Sequence, residues 1–194
     1  PVVYFPKFFH PDPTVKRQSG FLMPTFKNTP NNNTYFSIPY FKVLSESKDL
    51  TFSPRFNGKD QFLLQNEYRE VTKDGNIISD ISLFFDKNES IGGHLFYNFN
   101  KNLELNNFDS SNLNLNFEQV SNDTYLKANK LESPIINDYD LLETSVKLDL
   151  SSENIDIKSK FLVYEKLNTS GNDKYEYILP QIDLTKNLTN KTKL

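Results

Sequence analysis

Apolar and polar residues alternate with a period of two through segment after segment of this 194-residue chain, and helical periodicity is nearly absent. A strand turns successive side chains to opposite sides of a sheet, so each such run has one oily face and one wet face. Leu50, Phe52, Pro54 and Phe56 share a face, with Asp49, Thr51, Ser53, Arg55 and Asn57 on the other. Phe62, Leu64 and Tyr68 stand against Gln61, Gln65, Glu67 and Arg69, although Leu63 and Asn66 break the pattern. A turn at Lys73-Asp74-Gly75-Asn76 leads into Ile77, Ile81, Leu83 and Phe85, alternating with Asp80, Ser82 and Asp86, which is a hairpin signature. Leu95, Tyr97 and Phe99 continue the theme, as do Leu113, Leu115 and Phe117. The cleanest run sets Leu142, Thr144, Val146, Leu148 and Leu150 against Glu143, Ser145, Lys147 and Asp149. About eight strands joined by polar turns predict an all-β antiparallel meander.

Alternation alone fits two architectures. A soluble sandwich buries the Leu142, Val146, Leu148 face against a second sheet, whereas a membrane barrel turns it to lipid. The free mixture of Asp, Glu, Lys, Arg and Asn on the wet face favours the barrel, whose lumen is water-filled. Mean hydropathy is −0.59 and no run of 18 apolar residues exists, so no transmembrane helix is expected; barrel strands keep hydropathy low and remain compatible with both observations.

Two prolines interrupt the first strand-like stretches, Pro24 in Phe21-Leu22-Met23-Pro24-Thr25-Phe26 and Pro39 in Phe36-Ser37-Ile38-Pro39-Tyr40-Phe41. Proline cannot donate to a ladder, so it belongs at an edge, at a bulge or where pairing is weak. Residues 10–20 are polar, turn-forming and basic towards their end, and read as a connector between two units. Within it Lys16 and Arg17 are candidates for contact with a lipid phosphate, a role that competes with simple solvation of a charged connector.

Little in the composition points to catalysis. With 22 basic and 25 acidic residues the net charge is −3, so no nucleic-acid partner is expected. There is no cysteine, and the two histidines, His10 and His94, read as incidental. Gly92-Gly93 reads as a turn or strand entry. No enzyme, metal site or cofactor is expected.

Several motifs resemble those of the lipopolysaccharide-assembly outer-membrane family LptD (OstA/Imp). Residues 1–9 look like that family's last periplasmic jelly-roll strand, and His10-Pro11-Asp12-Pro13 through Met23-Pro24 like its linker into the first barrel strand. Ile38-Pro39-Tyr40-Phe41, Asp49-Leu50-Thr51-Phe52-Ser53-Pro54-Arg55-Phe56 and Glu67-Tyr68-Arg69 resemble successive barrel strands. Asn114 to Leu126 and Leu179-Pro180-Gln181-Ile182 continue the likeness, while the loop at 28–33 has drifted from it. The resemblance implies a division at residue 19, with 1–19 ending the jelly roll and linker and 20–194 forming the N-terminal part of a large transmembrane β-barrel. It implies lipopolysaccharide transport into the outer leaflet through a lateral gate, with Pro24 and Pro39 loosening the seam. It also implies an outer-membrane location with a periplasmic N-terminal end, an LptE lipoprotein plug, and an LptA-type bridge on the jelly roll. The ends of the chain read as those of a piece of a longer protein.

Overall fold

The computed structural model describes residues 17–27, 34–58, 60–87 and 91–186. Residues 1–16, expected to hold the end of a jelly roll, His10 and the linker through Lys16, and residues 28–33, expected to be a loop, lie outside the described residues. The twelve strands among the described residues belong to one antiparallel sheet. They are β1 (Gly20–Phe21), β2 (Thr25–Lys27), β3 (Tyr35–Ser37), β4 (Tyr40–Ser45), β5 (Lys48–Asn57), β6 (Gln61–Thr72), β7 (Gly75–Asp86), β8 (Gly92–Asn102), β9 (Ser110–Val120), β10 (Leu141–Ser151), β11 (Ile155–Lys166) and β12 (Tyr175–Lys186). From β4 onward each strand pairs with the next in the chain, the meander that polar turns between alternating runs predict.

β1 with β2, and β3 with β4, are two strands each broken in the middle. The register of β3 on β5 (Ser37 opposite Arg55) runs unshifted into that of β4 on β5 (Tyr40 opposite Phe52). Joining the halves leaves ten long strands, somewhat more than the alternating runs suggested.

The faces follow the predicted alternation. Outward lie Phe36, Phe52, Phe56, Ile81, Leu83, Leu95, Phe117, Val146 and Phe161, all exposed. No second sheet covers them among the described residues, which form one sheet and not a sandwich. Val146 is 46% exposed, but Leu142, expected on the same face, is buried at 2%. The last β9–β10 register pair is Asn116 with Ser145, and beyond it Leu142 joins a cluster built from the loop that follows β9.

That cluster explains why Leu63 breaks its strand's pattern. Leu63 and Phe96 point inward and are closed over by Tyr125, Leu126, Leu131 and Ile135 from the segment 121–140, with Leu167 from the neighbouring loop. The segment contains the one α-helix among the described residues, α1 (Tyr125–Asn129). It ends at Lys130 in the left-handed region, φ 45°. Most of the fully buried apolar volume therefore lies where one loop folds onto the wet face.

Candidate functional site: the first hairpin and the inner wall

The two strand breaks lie side by side. Phe21 pairs with Tyr40 and Thr25 with Ser37, so three residues, Leu22, Met23 and Pro24, face only two, Ile38 and Pro39. One extra residue on one strand is a β-bulge, and it reverses which side chains face out. The Leu22 N–H still donates to the Pro39 carbonyl at 2.8 Å, but neither proline returns a bond. Five register pairs join this first hairpin, two in β1–β4 and three in β2–β3, against twelve between β6 and β7. Pro54 of β5 falls level with the same break, and its carbonyl accepts from the Ser37 hydroxyl at 2.8 Å. From sequence alone Pro54 is only a member of an oily face; its place beside Pro39 follows from the register.

Arg17 is placed by the start of β5. Its guanidinium reaches Asp49 at 2.5 Å and lies 5.7 Å from the Phe41 ring centroid. Asp49 is 2% exposed and also accepts from Arg69 at 2.9 Å, while Arg69 reaches Glu67 at 3.2 Å. Two arginines and two carboxylates thus fasten the residues before β1 to the wall, and Ser19 Oγ accepts from the Val43 N–H at 2.9 Å.

The turns differ at the two ends of the sheet. At the end where the chain enters β1 the connections are residues 46–47, 73–74, 103–109 and 152–154, mostly short; the opposite end carries 58–60, 167–174 and the long segment 121–140. At that opposite end His94, read from sequence as incidental, is central. Its Nδ1 lies 2.6 Å from Ser82 Oγ, which lies 2.7 Å from the Tyr125 hydroxyl, and its Nε2 is 3.4 Å from Asp80. Gln65 donates to both oxygens of Asp80, at 3.1 and 2.9 Å, and to the Glu132 carbonyl at 2.9 Å. A Cβ on Gly92 would lie 3.0 Å from the Tyr125 ring, so the glycine gives the ring room. Ser121 closes the loop's start by accepting from the Gly93 N–H at 2.9 Å.

Ser82, His94 and Asp80 are the residue types of a nucleophilic triad. They are 0, 4 and 0% exposed, and Ser82 Oγ is already shared with Tyr125, so no substrate can reach the hydroxyl. The arrangement is a latch for the loop. Burial pushes the Tyr125 phenol above its ordinary pKa, which keeps it neutral and hydrogen-bonding at any physiological pH. Lys174 adds a second tie at the rim, 2.8 Å from Asp123 and 3.0 Å from Glu165, and those contacts raise its pKa. Sequence spacing gave no sign of the latch, because its partners lie up to 67 positions apart and meet only when the strands pair and the loop folds onto them.

The described residues hold no group of side chains able to ligate a metal, and no helix long and apolar enough to cross a membrane; the latter says nothing of strands. A single antiparallel meander, oily outside and polar inside, is the construction of a β-barrel wall.

No protein-family model matches the chain. Similarity to individual proteins is clear and agrees with the motifs: the chain is similar over part of its length to proteins named LPS-assembly protein LptD. It is 33% identical over 127 residues to that of Chromobacterium violaceum, covering 64% of this chain and 15% of the relative. Against the Pseudomonas putida protein it is 37% identical over 73 residues, 38% of this chain and 8% of the relative. The match to the Sodalis glossinidius protein is 26% over 181 residues, 88% of this chain and 22% of the relative. The chain thus spans between about a tenth and a fifth of the length of the curated relatives it matches.

Proposed function

We propose that this chain is a stretch of the wall of an outer-membrane barrel that delivers lipopolysaccharide to the outer leaflet, and that its first hairpin, weakened at Pro24 and Pro39, is one side of a lateral gate at the seam between the first and last barrel strands. The relatives' name supplies the lipopolysaccharide; the observation that carries the gate is the three-against-two bulge at Pro24 and Pro39. A ladder missing donors there loses about 0.5 to 1.5 kcal/mol net per bond, and more where lipid excludes water. Such a seam parts more easily than the continuous β6–β7 pairing.

Transport of this kind forms no covalent bond, so no enzyme activity is assigned. The chain enters β1 from the end with tight turns, which in outer-membrane barrels is the periplasmic one. On this reading residues 1–19 are the end of a jelly roll and its linker, on the periplasmic side, and residues 20–194 begin the barrel. An LptA-type bridge would load the jelly roll, and an LptE lipoprotein would occupy the lumen. Arg17 serves as the linker's anchor; a lipid phosphate meeting it, with Lys16, would compete with Asp49 for the guanidinium.

The test is Pro24→Ala with Pro39→Ala in the whole protein, followed by the rate at which newly made lipopolysaccharide becomes accessible at the cell surface. Slower arrival with normal barrel assembly is expected. Arrival at the native rate in a correctly assembled variant refutes the gate.

A further inference from the structure

Lys27 of β2, Arg55 of β5 and Lys130, just beyond α1, line one small pocket on the inner wall with Tyr35, Asn57 and Asn129. No acid is among its lining residues. Arg55 is about nine-tenths buried, at 9% exposure. Its Nη2 donates to the Asn129 carbonyl at 2.5 Å and its guanidinium carbon lies 4.7 Å from the Tyr35 ring centroid, yet its Nε meets no hydrogen-bond acceptor among the described residues. Glu132 is the acid within electrostatic reach, and its backbone carbonyl is engaged by Gln65. A buried donor left idle beside a retained positive charge is costly, and an incoming anion is what would relieve both. Lys27 and Lys130 are exposed and carry no ion pair among the described residues. The pocket holds about 20 Å³, less than a phosphate fills, so the exposed side chains of Lys27 and Lys130 must draw back to admit one.

One planar fork and two mobile ammonium groups converging on a concave spot suit a tetrahedral oxyanion with several acceptor oxygens. We propose that this pocket is a phosphate-binding site, taking either the phosphoryl group of a lipid headgroup or free phosphate. Lys27 belongs to the first strand, so a bound phosphoryl group would sit beside the proposed gate at the end opposite the periplasmic turns. The choice of a lipid source rests on the proposed function; the anion chemistry does not.

The experiment titrates the whole protein in detergent micelles with inorganic phosphate. A second arm uses phosphatidylcholine micelles doped with a bis-phosphorylated glucosamine lipid, or with its dephosphorylated form. Binding of a phosphorylated probe that weakens about tenfold or more in the Lys27→Gln, Lys130→Gln double variant, and again in Arg55→Lys, supports the site. Binding of the lipid but not of inorganic phosphate assigns it to a headgroup, and the reverse to the free ion. Failure of both probes to bind, or unchanged affinity in the variants with the barrel still folded by heat-modifiable gel migration, overturns it. A chain that binds inorganic phosphate yet delivers no lipopolysaccharide keeps this site and removes the delivery reading.

Discussion

Leu126→Ala should release the loop at 121–140 from the wall without unfolding the sheet. Leu126 is fully buried in the cluster formed with Leu63, Phe96, Tyr125, Leu131 and Ile135. Truncating such a leucine costs about 2 to 5 kcal/mol through lost transfer energy and the cavity left behind. The strand ladders from β5 to β9 do not pass through residue 126, so this cost falls on docking of the loop. At about 1.4 kcal/mol per decade, the undocked population rises roughly 30- to 5,000-fold. Lys127 and Lys130 lie in the same segment and are exposed, so limited trypsin digestion reads that population directly when reclosing outpaces cleavage. Cleavage after these lysines is expected to accelerate at least tenfold. Val146→Ala, on the outward face, is the control and should leave the rate unchanged. An L126A protein cut within twofold of the native rate, with its barrel intact, would show that the loop is not held by this cluster.

Two further outcomes test other parts of the wall. Asp49→Asn leaves Arg17 and Arg69 facing a neutral amide; because both arginines are about half exposed, the expected loss is about 1 to 2 kcal/mol rather than that of a fully buried pair, read as faster tryptic cleavage after Arg17. Gly75→Ala would drive a Cβ to 2.1 Å from the Asn100 carbonyl oxygen, a backbone atom that cannot swing aside, and should lower stability by about 1 to 3 kcal/mol in urea-induced unfolding of the lipid-embedded protein.

The all-β meander was legible because period-two alternation is a local property: each run states its own faces, whatever lies beside it. The breaks at Pro24 and Pro39 were legible for the same reason, since a missing N–H belongs to the residue itself. Leu63 looked like an error in the pattern until the loop was seen to cover it. His94 looked incidental because its hydrogen-bond partner Ser82 lies on the neighbouring strand and meets it only across the ladder. Leu142 was expected outward and is buried, because β10 runs on past its last pair with β9 and the loop fills the space.

The sequence by itself determined that this chain makes strands, which side of each is oily, and where the first two cannot pair fully. Only the tertiary structure decided that the breaks coincide as three residues against two, that Pro54 stands level with them, that Asp49 gathers two arginines, and that a loop latches onto the inner wall. The physical reason is one of range. Alternation and proline chemistry act within a few residues, whereas register, charge sharing and burial under a loop arise only when segments tens of residues apart are brought side by side.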